Sequence, residues 1–115
     1  MSVLIVEPSL PLRRVIRSFI KGFDADIYEC GDAAAALRLC PPAPPEWVLF
    51  NLEIRDVEGV NAIVKLTGKW RDAKVVALSS YDETELREAT QAAGAWAYVL
   101  KDDLSALQAL FSRLA

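Results

Sequence analysis

The sequence predicts an α/β protein, a single domain built as a doubly wound (βα)5 three-layer sandwich around a parallel sheet. Three observations predict it. Short apolar runs alternate with segments of helical periodicity along the whole chain. The runs are continuously apolar, as strands buried on both faces of a parallel sheet are. Four of them stop on a polar residue: residues 3–6 on Glu7, 47–50 on Asn51, 75–78 on Ser79 and 98–100 on Lys101. Polar side chains in such a sheet are tolerated mainly at the carboxyl ends of the strands, which meet over the crevice where these folds bind ligands. Glu7, Asn51, Ser79 and Lys101 are therefore expected to face one another.

The elements follow in order. After the first strand, Ser9 can cap a helix with Pro11 in its first turn, a position that tolerates proline. Leu12, Val15, Ile16, Phe19 and Ile20 form its apolar stripe, and Gly22 is expected to end it. Residues 26–30 are polar enough for an edge strand. Asp32 caps an alanine-rich helix expected to run to Cys40. The proline-rich stretch 41–45 is a stiff connector within the domain. Beyond Asn51, residues 52–59 read as a loop, followed by a stripe of Val60, Ile63, Val64, Thr67 and Trp70. Asp82 with Glu85 makes a capping box for a fourth helix that ends at Gly94. Asp102 or Asp103 caps the last helix, with stripe Leu104, Leu107, Leu110, Phe111 and Leu114. Strand–helix alternation with right-handed crossovers closes the architecture.

Composition excludes several classes of function. A chain of 115 residues with 53% hydrophobic content can bury a core as one domain. The net charge of -3 provides no basic field for nucleic acid. No apolar run approaches the roughly 20 residues of a membrane span, and the early Glu7 does not suit a signal peptide, so the cytoplasm is the expected compartment. Without histidine there is no Ser-His or Cys-His dyad and no His-ligated zinc. Cys30 and Cys40 lack metal-ligand spacing and read as small packing residues.

Five short segments, in order, resemble the receiver domains of bacterial two-component response regulators. They are residues 3–7, Asn51-Leu52-Glu53, Glu58-Gly59, Leu78-Ser79 and residues 93–101. The resemblance covers essentially the whole chain and implies the flavodoxin/CheY-like strand order 2-1-3-4-5. It implies that two acidic residues after the first strand and an aspartate ending the third would hold Mg²⁺. That aspartate would take a phosphoryl group from a kinase histidine. A Ser or Thr and a Lys would bind the phosphoryl oxygens, and an aromatic on the fifth strand would swing inward. Ser79, Lys101 and Tyr98 stand at the last three positions.

Two positions depart from that pattern. Asn51 stands at the phosphoacceptor, and an amide does not attack phosphorus as a carboxylate does. The acidic pair is Glu7 followed by Pro8. One of three implied carboxylates remains, balanced by Lys101. A unit charge near 4 Å is worth up to ~4 kcal/mol at an effective dielectric of 20, so Mg²⁺ binding is expected to be lost and no cofactor retained. Lys101 is followed by Asp102 instead of the family's proline, and a trans bond is expected there.

The expected function is a pseudo-receiver that binds a protein partner, such as a histidine kinase or an output protein, without phosphorylation at residue 51. Rival readings are a small-ligand or anion binder using Ser79, Ser80, Lys101 and the Asn51 amide, and a receiver phosphorylated instead on Glu53 or Asp56. An enzyme built on a Ser79–Lys101 pair lacks an orienting group. Nucleotide binding lacks a glycine loop. Interface candidates are the basic first-helix face with Arg13 and Arg17, and Trp96. The period of two places Trp96 beside Tyr98 on the face of the fourth helix, fifth strand and fifth helix, where a homodimer or partner contact is expected.

Overall fold

The apolar runs become the five strands β1 (Ser2–Val6), β2 (Asp26–Cys30), β3 (Trp47–Leu52), β4 (Lys74–Ser79) and β5 (Ala97–Leu100). Between and after them lie α1 (Leu10–Ile20), α2 (Ala33–Arg38), α3 (Val57–Lys69), α4 (Thr84–Ala92) and α5 (Ser105–Ser112). This computed structural model describes residues 1–39, 43–52 and 57–113. The strands pair in parallel in the order β2-β1-β3-β4-β5, as expected, with polar β2 at one edge.

Alternation along the strands divides the core into two layers. Val3, Ile5, Leu49, Val76, Leu78 and Val99 face α1 and α5, where Ile16, Ile20, Leu107 and Phe111 meet them. Leu4, Val6, Val48, Phe50, Val75 and Ala77 face α2, α3 and α4, packing on Ala36, Ile63, Leu66 and Leu86. Central strands buried on both sides leave only their ends for polar groups, which positions the site.

Local signals hold at several junctions. Ser9 caps α1, its hydroxyl accepting from the Leu12 amide at 3.3 Å. Asp32 caps α2, accepting from the Ala35 amide at 2.7 Å. Gly94 ends the α4 turn with φ +110°, and a Cβ there would lie 2.9 Å from Cγ2 of Thr67 on α3. Glycine is thus required by backbone angle and by space.

Other expectations are corrected. Gly22 does not end α1; the chain tightens into a 3₁₀ turn over Lys21–Phe23 and reverses at Asp24, whose φ is 50°, an angle Asp tolerates. Helix α2 stops at Arg38, with Leu39 already extended ahead of the prolines; Cys40 lies outside the described residues. Helix α3 begins at Val57, inside the stretch 52–59 expected to be loop. The buried side of α3 is Ile63, Leu66 and then Trp70, whereas Val64 points outward, as does Val15 on α1. Each helix lies on one sheet face only, so the buried arc is narrower than the full apolar stripe. Neither Asp102 nor Asp103 caps α5: the N-cap residue is Leu104, and the Asp103 carboxylate accepts instead from the Ser105 hydroxyl at 2.8 Å. Leu114 lies outside the described residues.

Candidate functional site at the carboxyl edge of the sheet

The strand order brings four polar residues to consecutive strand ends. Glu7 follows β1, Asn51 lies near the end of β3, Ser79 closes β4 and Lys101 follows β5. Pairing of Val6 with Phe50 puts Glu7 beside Asn51, and pairing of Leu52 with Ser79 and of Ser79 with Leu100 puts Ser79 one step and Lys101 two steps further along the same edge. The Lys101 amide donates to the Ser79 carbonyl at 2.8 Å. The four residues expected at strand ends do lie along this edge, with one correction: β3 continues through Asn51 to Leu52, which is buried on the α2–α4 side. Asn51 is therefore a strand residue rather than a strand terminator, and alternation turns it toward the opposite layer.

Each member has a distinct setting. Glu7 is 0% exposed; its amide donates to the Cys30 carbonyl at 3.0 Å, and its Oε1 accepts from the Ser9 amide at 3.2 Å. The carboxylate is thereby tied to the start of α1, where helix N-termini favour negative charge. Pro8 beside it is exposed. Asn51 is half-buried and its Oδ1 is buried with no hydrogen-bond partner among the described residues. Ser79 is 0% exposed, and its Oγ accepts from the Tyr81 amide at 3.0 Å. The Lys101 side chain is half-buried and the Lys101–Asp102 bond is trans. Beside Glu7, burial pushes the Cys30 thiol above its ordinary pKa, which keeps it protonated.

Tyr98 reaches the same loop from the surface. Its hydroxyl donates to the Tyr81 carbonyl. The Arg87 guanidinium lies over its ring at 4.5 Å, and Arg87 Nε donates to Asp82 at 2.7 Å. This overturns the expected capping box: α4 begins later, with Glu83 at the N-cap position and no side-chain cap, and Asp82 pairs with Arg87. Sequence reasoning missed Arg87 because its partners lie on another strand and across a helix start. An acidic residue followed by a basic one is the only trace such a contact leaves in the sequence.

A family model for the response regulator receiver domain matches residues 3–112. The chain belongs to the response regulator receiver family. The uncharacterized transcriptional regulatory protein YhcZ of Bacillus subtilis is 33% identical over 105 residues, which cover 89% of this chain and 49% of that protein. The chain spans about half the length of the curated relatives it matches. A response regulator from Thermotoga maritima superposes with a TM-score of 0.87 at 20% identity, covering 98% of this chain and 95% of that one. Vibrio cholerae chemotaxis protein CheY4 gives 0.83 at 15% identity, with 99% and 98% covered. At such identities the likeness to the solved structures establishes the fold.

As a receiver, the chain carries an altered donor set at its acidic edge. Glu7 supplies one buried carboxylate, Pro8 supplies no side-chain oxygen, and Asn51 supplies a neutral carbonyl oxygen. These residues do not fit the cluster of carboxylates that holds Mg²⁺ in ordinary receivers, since a hard divalent ion needs anionic oxygens to offset its dehydration. Glu53 and Asp56 lie outside the described residues.

The surface candidates are placed differently from one another. Arg13 and Arg17 are not a free basic face: both converge on Glu29 of β2, at 3.7 and 2.6 Å. Trp96 is 44% exposed, but β5 starts one residue after it, so strand alternation does not align it with Tyr98. Its ring folds back against Trp47 in the α1/α5 layer, while Tyr98 packs on the other layer. Both still line a groove of about 300 Å³ between α4 and β5, together with Arg87, Thr90 and Gln91.

Proposed function

We propose that this receiver is a signalling interaction module that works without phosphorylation at position 51 and without Mg²⁺. The observation that carries the proposal is Asn51 itself: the buried Oδ1 belongs to an amide, which offers neither the nucleophile nor the negative charge of an aspartate. Pro8 removes a second charge beside it. Two losses in one crevice leave Glu7 and Lys101 as formally opposite charges, a set with little attraction for a divalent ion. Ser79 then serves the loop after β4, where it holds the Tyr81 amide.

The partners of such a module are a histidine kinase or an output protein, met in the cytoplasm. The relatives are named transcriptional regulatory proteins and are about twice as long as this chain, which supports a role upstream of an output and adds no nucleic-acid contact by the receiver itself. The contact surface is the face of α4, β5 and α5, with Trp96 as its exposed aromatic anchor, used for self-association or for the partner. The deciding experiment is the intact mass after incubation with a small phosphodonor and Mg²⁺. An unchanged mass is expected. A stable gain of one phosphoryl group overturns the reading, and mapping it to Glu53 or Asp56 would transfer the acceptor role there.

A further inference from the structure

We propose that Arg87 is a latch: its guanidinium keeps Tyr98 seated on the loop between β4 and α4 and so fixes that loop through the chain's own contacts. The loop is gripped from three elements. From β4, Ser79 Oγ accepts the Tyr81 amide at 3.0 Å. From β5, the Tyr98 hydroxyl donates to the Tyr81 carbonyl. From α4, Arg87 spans both remaining groups, its guanidinium 4.5 Å from the Tyr98 ring centroid and its Nε 2.7 Å from Asp82 Oδ1. Tyr98 lies on an edge strand and is only half-buried, so core packing covers one side of the ring and the guanidinium covers another. A planar guanidinium can stack on the ring and hydrogen-bond Asp82 at once, which an ammonium cannot.

The latch has a consequence for recognition. Arg87 and Tyr98 are also walls of the α4–β5 groove, so the groove's shape and the position of the Ser79 end of the sheet are set by one linked set of contacts. Opening the latch changes both. The inference stands whether or not position 51 accepts a phosphoryl group.

Amide hydrogen exchange tests it, read in peptides covering residues 80–84 and, as a control, the central strand β3. Arg87→Ala and Tyr98→Phe should each speed exchange in residues 80–84 about tenfold, the factor that accompanies ~1.4 kcal/mol, with β3 unchanged. The double variant should speed exchange by less than the two single effects combined, because Arg87 seats the ring whose hydroxyl makes the Tyr81 bond. Arg87→Lys should restore only part of the protection. Unchanged exchange at 80–84 in Arg87→Ala, or independent effects in the double variant, overturns the latch. Acceleration shared equally with β3 overturns it too, because Arg87 would then support the whole fold rather than this loop.

Discussion

The indole of Trp96 stands edge-on to that of Trp47, with centroids 5.4 Å apart and planes at 88°. Trp47 is in turn packed against Phe111 of α5 at 4.4 Å. A surface aromatic is thereby fastened to the core at the amino edge of the sheet, opposite the polar quartet. The fastening fixes the exposed part of Trp96 in one orientation, which lowers the entropy lost when a partner covers it.

Trp96→Ala separates anchoring from recognition. Loss of the edge-to-face pair should cost about 0.5–1.5 kcal/mol beyond the lost area, so thermal unfolding should fall by several degrees and stay cooperative. Self-association or partner binding, followed by sedimentation equilibrium or titration, should weaken much more. Unaltered association with the expected stability loss would remove Trp96 from the interface and leave it a structural residue.

Restoring one acidic position should not restore the chemistry. Asn51→Asp alone is expected to take up little phosphoryl group, because Pro8 still withholds a metal ligand. Asn51→Asp combined with Pro8→Asp should take it up in the presence of Mg²⁺, seen as one added phosphoryl mass. Efficient labelling of the single variant would show that Glu7 suffices as the acidic partner.

Mg²⁺ should leave stability unchanged. Repelling carboxylates gain stability when a divalent ion joins them, by mass action on the folded state. With Asn51 and Pro8 in place that repulsion is absent, so millimolar Mg²⁺ should not move the melting temperature. A rise of several degrees that disappears in Glu7→Gln would reveal a surviving metal site.

Gly94→Ala should be among the costliest single-methyl additions in the chain. The residue sits at φ +110°, and its new Cβ would meet the Thr67 side chain at 2.9 Å. Left-handed backbone costs an ordinary residue about 1–2 kcal/mol, and the contact adds to it. Urea unfolding should show a loss of ~2 kcal/mol or more. Adding Thr67→Ala should return only the part due to the clash, leaving the backbone part.

The placing of Glu7, Asn51, Ser79 and Lys101 along one edge was legible because each strand's burial on two faces concentrates polar residues at its end, whereas the sheet order came from the resemblance to receiver domains. Helix boundaries were legible where a cap is local, as at Ser9 and Asp32, since the side chain bonds an amide three residues on. They were not legible at Asp82 and Asp103. There the carboxylate has a competing partner, Arg87 or Ser105, and a sequence pattern does not rank competitors.

The sequence by itself determined the receiver fold and which residue types stand at its crevice, because an amide at position 51 and a proline at position 8 are properties of residue type. Tertiary structure alone decided how the surface is used. Arg13 and Arg17 are drawn onto Glu29, Trp96 is turned back on Trp47, and Arg87 is laid over Tyr98. The physical reason is common to all three. Long and aromatic side chains reach across elements, and where they come to rest depends on which neighbours the fold sets within a few ångströms, information that periodicity along one element does not carry.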